Sequence, residues 1–463
     1  MNIENIIVLM LENRSFDHVF GFRKGVNGLK GTETNRLNPS QNASPANPEF
    51  KVSNAEPYSI SAGEGPSHSF NSVTTQLYGS KSGPTSGSKP TMDGFVKAYR
   101  DSLMSEHVPH PSTSQMRVVM ESFAPGTLPA LEALADNFVL CDNWFCEVPG
   151  PTMPNRMFVH MASSGGFVHN VWDHIFDDPT IYNRIEDVNR TWATYSFDSN
   201  EVKQFSRVNG KASCFRDFES DFAKDLSRTN FPNYSFVVPR FFAKDGPVNS
   251  MHGPFDARPA DQLVAEIYNK LRSSPIWPKC LLVITFDEHG GFFDHVAPPP
   301  TKASRPGGYT SPPAGDTASW VPKFDFDRLG LRVPTLLVSP WVGKGQVASD
   351  QFQHTSILSS LHSMFGTKPL SNRDESAKPF VNLFTRSART DAIAKIMSVG
   401  TVASSPKTFG AGIETNHGKF GLDSLQREIL LGVHSRTKSR HKLSLGTLPD
   451  TQKTASAFIR RFN

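Results

Sequence analysis

Two pairs of adjacent polar residues, Glu12-Asn13 and Asp287-Glu288, sit directly behind apolar runs, Ile6 to Leu11 and Leu281 to Phe286. Three carboxylates and an amide gathered at one point would make an oxygen-rich site for a hard cation. Along a strand neighbouring side chains point to opposite faces, so two consecutive polar residues converge only where the strand gives way to a loop. One such pair alone reads as a strand-end cap and turn. Two pairs, each set inside a dense polar motif, point to a shared cation site.

Thr152 lies in a Pro/Gly-rich turn, Pro149-Gly150-Pro151-Thr152-Met153-Pro154-Asn155-Arg156, that leads into a helix. A hydroxyl there faces unpaired N–H groups and the positive end of the helix dipole, which stabilise an alkoxide or a phosphoryl group. The same position also suits an ordinary helix cap. A Thr hydroxyl is a weak nucleophile at neutral pH, and a nearby cation would lower its pKa as it lowers that of bound water. This links Thr152 to Glu12, Asn13, Asp287 and Glu288. Several histidines occupy polar, Gly/Pro-rich settings: His68, His252, His289, His295 and His354. Loop histidines suit phosphate binding or proton donation to a leaving group, and equally a surface or turn-fixing hydrogen bond.

The elements that must hold these groups follow from the apolar pattern. Ile6–Leu11, Leu281–Phe286 and Val333–Val338 have the composition of strands buried on both faces of a parallel sheet. Trp192–Tyr195 and Tyr234–Val238 read as further strands. Helices are expected over Leu128–Asp136, starting within Pro149–Arg156, over Ala260–Arg272 and over His354–Phe365. Strands alternating with helices indicate a mostly parallel α/β sheet sandwiched between helices. Thr32 to about Pro90 is rich in Asn, Ser, Pro and Gly and reads as loop. The chain divides into a catalytic domain, 1–384, and a more polar C-terminal extension of unassigned role, 385–463, with one amphipathic helix over Leu422–Val433 and a basic run from Arg436 to Lys442.

At 463 residues and a formal charge of +4, the chain can bury a large core and gives no reason to invoke nucleic acid. Its four cysteines match no zinc spacing and no disulfide framework. No stretch approaches the ~20 apolar residues of a membrane span, and no secretory leader precedes the first strand, so the expected location is cytoplasmic or peripheral to a membrane, or secreted if a leader was removed. The 35 phenylalanines, Phe241-Phe242 and Phe292-Phe293 among them, would serve either core packing or an apolar approach for acyl chains. The basic run and Phe458 to Phe462 combine cations with apolar anchors, which suits either transient membrane contact or a solvated tail.

The segments Glu12-Asn13-Arg14-Ser15-Phe16-Asp17-His18, Thr152-Met153-Pro154-Asn155-Arg156 and Asp287-Glu288-His289-Gly290-Gly291-Phe292-Phe293-Asp294-His295-Val296 resemble, in order, three hallmark motifs of the phosphoesterase family. That family holds phosphatidylcholine-type and non-specific phospholipases C and a group of bacterial acid phosphatases. The resemblance covers roughly residues 1–375 and implies an alkaline-phosphatase-like fold with one divalent metal. It assigns Glu12, Asn13, Asp287 and Glu288 as metal ligands and Thr152 as nucleophile. It places His68, His252 and His354 on phosphate or leaving group, with Asn155 at the substrate. Calcium or magnesium is the first expectation for the metal, zinc or manganese the alternatives. The implied activity is phospholipid hydrolysis of the phospholipase C type through a phospho-threonine. The alternatives are an acid phosphatase acting on soluble phosphomonoesters, and a non-catalytic lipid- or anion-binding protein. The stretch Asn249-Ser250-Met251 lacks acidic residues that relatives often carry, and the C-terminal tail matches no known pattern.

Overall fold

The computed structural model describes residues 2–400, 422–441, 455 and 458–459, apart from 56–57, 59–64, 84–87, 107, 244–245, 302, 315 and 317–320. Eight strands form its main sheet: β1 (Asn5–Leu11), β2 (Val139–Cys141), β3 (Trp192–Ser196), β4 (Phe215–Asp217), β5 (Tyr234–Val238), β6 (Cys280–Phe286), β7 (Thr335–Val338) and β8 (Gln346–Ala348). They lie side by side in the order β8-β2-β7-β6-β1-β5-β3-β4. All neighbours are parallel except those of β7, which runs antiparallel to both β6 and β2. The sheet is therefore mostly parallel. Every residue of the central strands β1 and β6 is buried, which is why they lack the polar alternation of a half-exposed strand.

Helices cover the sheet: α3 (Pro129–Asn137), α4 (Thr152–Met161), α5 (Arg258–Arg272) and α6 (Thr355–Phe365). All ten residues of α4 are buried, so it belongs to the interior and not to the surface. Helix α5 is tied to α3 by a long-range cap, in which the Asp261 carboxylate accepts from the backbone N–H of Ala130 and Leu131 at 3.1 Å. This satisfies N–H groups that the first turn of α3 cannot satisfy internally.

Two departures from the sequence expectation have clear causes. The loop-like stretch from Thr32 to Pro90 contains α1 (Phe70–Tyr78) and three short strands, and α2 (Phe95–Ser105) follows it. Helix α1 is rich in β-branched residues, which are weak helix formers. It is held by the Ser69 cap and by burial of Phe70, Val73 and Leu77, one helical face. With α2 it builds a second apolar cluster that includes Phe292 and Phe293. The second departure is the C-terminal region. Ala392 and Ile396 belong to the main core, as do Leu425, Ile429 and Val433 of α7 (Ser424–His441), and Ile459. The described residues past 385 are thus packed on the sheet and its helices. The four cysteines are unpaired, and no helix among the described residues is long and apolar enough to cross a membrane.

Candidate active site

The two polar pairs meet because β1 and β6 are parallel and in register, Leu11 opposite Phe286. The next residues, Glu12 and Asp287, leave the sheet together. Asp287 N–H donates to the Leu11 carbonyl at 3.1 Å, Asn13 N–H donates to Asp287 Oδ1 at 3.0 Å, and Arg14 N–H donates to the Glu288 carbonyl at 3.1 Å. Asn13 is left-handed, with φ of 57°, a conformation Asn tolerates better than most residues. Gly290 follows, with φ of 66°; a Cβ there would lie 2.1 Å from the Asn13 carbonyl oxygen, so only glycine lets the two loops touch.

Glu12, Asn13, Asp287 and Glu288 are all fully or almost fully buried. Arg156 Nε donates to Glu12 Oε1 at 2.9 Å and lies 3.5 Å from Asp287 Oδ2, while its Nη1 donates to Glu201 at 2.6 Å. Asn13 Oδ1, Asp287 Oδ2 and Glu288 Oε1 accept no hydrogen bond. Burial, then the neighbouring Asp287, pushes Glu12 well above the ordinary carboxylate range against the pull of Arg156. Burial likewise pushes Glu288 to about 8, opposed by His68 and reinforced by Asp287. Two carboxylates and an amide with unsatisfied oxygens, beside a third carboxylate held by Arg156, make an oxygen-rich buried cluster that fits a divalent cation.

Thr152 is the first residue of α4, and its hydroxyl lies 3.4 Å from Glu12 Oε2. The following N–H, of Met153, donates to Asn170 Oδ1 at 2.8 Å. His68 stands on the other side. Its Nδ1 is 3.0 Å from the Pro66 carbonyl, an acceptor only, so Nδ1 carries the proton and Nε2 accepts from Asn13 Nδ2 at 3.1 Å. His252 is buried, its ring centroid 6.2 Å from that of His68. Its Nδ1 lies 3.4 Å from Asp423 Oδ2, and neither ring nitrogen is in a hydrogen bond.

Two of the expected site residues, His354 and Asn155, have their polar atoms engaged within the protein. Both ring nitrogens of His354 are engaged: Trp144 Nε1, a donor only, bonds to Nδ1 at 3.2 Å, and Nε2 therefore donates to the Asp287 carbonyl at 2.7 Å. Burial pushes this imidazole down to about 4, so it stays neutral and holds the Asp287 turn in place. The Asn155 amide is likewise occupied. Its Nδ2 lies 3.0–3.1 Å from the carbonyls of Val148, Gly150 and Pro151, and its oxygen accepts from Val148 N–H at 2.8 Å. It shapes the turn before Thr152. Phe241, Phe242, Phe292 and Phe293 are buried, so they pack the interior and present no apolar approach. In the tail, Ile459 is buried and Phe458 is half-buried beside His434. The side chains of 437–442 and 460–462 lie outside the described residues.

A second acidic cluster sits nearby. Oxygen or nitrogen atoms of Asp17, Asp294 and His295 lie within 4.8 Å of one another. Arg332 fills this cluster, donating to Asp294 Oδ1 and to Asp17 Oδ1 at 2.9 Å each, and His295 Nδ1 is 2.6 Å from Asp17 Oδ2. The guanidinium supplies the positive charge that a metal would otherwise bring.

Arg156, Trp144 and Asp423 are the residues that inspection of the motifs passed over. Arg156 was within reach: four residues after Thr152 on a helix, it must lie on the same face. Trp144 and Asp423 carry no local signal of their distant partners.

Fold and site together define an α/β protein with a buried, oxygen-rich acidic cluster at strand ends and a hydroxyl at a helix start beside it. A model of the phosphoesterase family matches residues 3–368. The chain is 33% identical over 456 residues to non-specific phospholipase C1 of Arabidopsis thaliana, covering 93% of this chain and 80% of that one. It is 32% identical over 429 residues to non-specific phospholipase C6 of the same plant, covering 88% and 77%. To phospholipase C B of Mycobacterium tuberculosis it is 28% identical over 400 residues, covering 79% and 74%. A solved alkaline phosphatase superfamily protein from Vibrio parahaemolyticus aligns with 54% of this chain and 64% of its own at 10% identity and a TM-score of 0.29. The chain belongs to the phosphoesterase family and is a phosphoric ester hydrolase.

Proposed function

We propose that the protein hydrolyses phospholipids in the manner of a phospholipase C, with Thr152 as nucleophile and a phospho-threonine intermediate. The observation that carries the reading is the placement of a buried hydroxyl at the start of α4, 3.4 Å from a carboxylate of the cluster Glu12, Asn13, Asp287 and Glu288. A divalent cation on these four residues, calcium or magnesium before zinc or manganese, would lower the pKa of the nucleophile and offset charge on the phosphoryl oxygens. The proton of Thr152 leaves along the contact to Glu12 Oε2 as Oγ1 bonds to phosphorus. The phosphorus–oxygen bond to the glycerol side breaks, and His252, whose Nε2 has no protein partner, gives a proton to that oxygen. Diacylglycerol departs. Water then attacks phosphorus and gives a proton back to His252, the bond to Thr152 Oγ1 breaks, Oγ1 recovers its proton from Glu12, and the phosphorylated head group is released. Splitting one displacement into two is the general gain of covalent catalysis. His68, with its Nδ1 proton directed at Pro66, holds Asn13 and borders the phosphate position. Arg156 orients Glu12, and His354 orients Asp287.

The phospholipid assignment rests on the names of the three relatives above, each a phospholipase C. The burial of all four paired phenylalanines leaves the acyl-chain approach to other surfaces, and this favours keeping a soluble phosphomonoester as the second reading. Parallel assays decide. Phosphatidylcholine should yield diacylglycerol and phosphocholine, with slow turnover of a chromogenic phosphomonoester. The reverse ranking would make the protein a phosphatase.

A further inference from the structure

We propose that Asp423, from the C-terminal region, is a positioning residue of the active site that orients His252 for proton donation; this rests on the role given to His252 above. Asp423 caps α7 in a reciprocal box: its Oδ1 accepts from Gln426 N–H at 2.7 Å, and Gln426 Oε1 accepts from Asp423 N–H at 3.1 Å. That box occupies one carboxylate oxygen. The other, Oδ2, is buried without a hydrogen bond and lies 3.4 Å from His252 Nδ1. A carboxylate on Nδ1 favours the tautomer and ring orientation that present an Nε2 proton to the substrate, and it stabilises the imidazolium from which that proton is given.

The helix is held against the site at several points. Gln426 Nε2 donates to the Phe241 carbonyl, in the loop after β5. Glu428 accepts from Asn170 Nδ2 at 2.6 Å, and Asn170 in turn accepts from the N–H of Met153, next to Thr152. Gly432 lies so near Trp172 that a Cβ would sit 2.2 Å from its Cβ, so a larger residue would lift the helix off. The same helix therefore touches the strand-end loop carrying His252 and the residue that fixes the nucleophile's turn. A region that reads in sequence as an appendage supplies part of the catalytic arrangement.

The test uses the full chain with Asp423→Asn, Asp423→Glu, His252→Ala and the double variant His252→Ala/Asp423→Asn. Asn caps a helix as well as Asp, so Asp423→Asn removes the charge and keeps the box; a thermal melt within a few degrees of wild type checks this. Each variant is assayed on a phosphodiester with a nitrophenyl leaving group, which departs without a proton, and on phosphatidylcholine in mixed micelles, whose alcohol needs one. Asp423→Asn should lower kcat on phosphatidylcholine at least about ten-fold more than on the nitrophenyl ester, since acid catalysis is commonly about 10²-fold or more. Asp423→Glu should recover part of the difference, and the double variant should be no slower than His252→Ala. Equal losses on both substrates, or none, overturn the proposal. If His252→Ala discriminates between leaving groups and Asp423→Asn does not, only the role of Asp423 falls. If His252→Ala itself shows no discrimination, the assignment of His252 as the acid falls with it.

Discussion

Two buried clusters of acidic residues, built from the same two segments, differ in how their charge is balanced. In the first, Glu12 and Asp287 share one guanidinium, Arg156, which is also drawn to Glu201, and Glu288 has the histidines His68 and His289 nearby. In the second, Asp17 and Asp294 hold Arg332 between them, with His295 on the rim. The second set has the closer-packed donors and looks more like a metal site by distance alone. Charge reverses that judgement. Arg332 completes the second cluster with hydrogen bonds to both carboxylates, while the first keeps unsatisfied oxygens on Asn13, Asp287 and Glu288. A buried carboxylate without a counter-charge is too costly to persist unless it titrates or binds a cation. Charge balance makes the first cluster the candidate for cation binding, while Arg332 ties the second to the loops around it.

The largest effect should fall on the proposed nucleophile, Thr152, beside the first cluster. Thr152→Ala should lower turnover by about 10³-fold or more, the scale seen when a covalent nucleophile is lost, with the melting temperature and cation binding unchanged, and Thr152→Ser should retain measurable rate. Wild-type-like turnover in the Ala variant would remove the covalent mechanism.

The next contrast sets Glu288 against Asp294. Glu288→Gln should abolish tight divalent-cation binding by calorimetry, and Asp294→Asn should leave it intact; the opposite result would exchange the roles of the two clusters. The pH dependence follows from the sign. Burial raises Glu288 from its ordinary 4.5 to about 8, so the folded state binds a proton that the unfolded chain has lost. Cation-free protein should then lose stability as pH rises from about 4.5 to about 8, and Glu288→Gln or a saturating divalent cation should flatten that decline. A melting temperature of the cation-free protein that rises across this window would contradict the charge argument.

Arg332→Met probes the second cluster. It strands Asp17 and Asp294 and should cost about 3–5 kcal/mol, the usual result of breaking one side of a buried ion pair, read from chemical denaturation, with cation affinity in the folded fraction preserved.

Smaller effects should separate positioning from chemistry. Trp144→Phe keeps the packing and removes the donor to His354, and a loss of about ten-fold in kcat with little change in KM is expected for loosening a supporting hydrogen bond; a change confined to KM would place Trp144 in binding instead. His295 is raised above its ordinary value: burial lowers it, and the bond to Asp17 more than offsets this. Its contribution is present at low pH and is lost as pH rises above the ordinary 6.5. His295→Ala should cost about 1 kcal/mol at pH 6, since the side chain is only partly buried, and almost nothing at pH 9. An equal cost at both values would mean that packing, not charge, is what His295 provides.

Much of this was legible along the chain. The apolar runs Ile6–Leu11 and Leu281–Phe286 are long and β-branched enough to specify buried strands, and the polar pairs behind them mark the strand ends where a ligand site forms. The helix after Pro151 and the strand Tyr234–Val238 were equally plain, because Pro at a helix start and a short apolar run are local signals. Helix α1 was not legible, because its Thr and Val residues argue against a helix until Val73 and Leu77 find an apolar cluster to enter and Phe70 finds another.

The sequence determined which residues could do chemistry; the tertiary structure decided which of them are free to do it. Nothing local distinguishes His354, with both nitrogens engaged by Trp144 and Asp287, from His252, whose Nε2 is buried without a hydrogen-bond partner. Nothing local ranks Asp294, neutralised by Arg332, below Glu288, and nothing ties Asp423 to a histidine far earlier in the chain. Hydrogen-bond capacity and charge balance depend on partners brought together through space, and only folding fixes who those partners are.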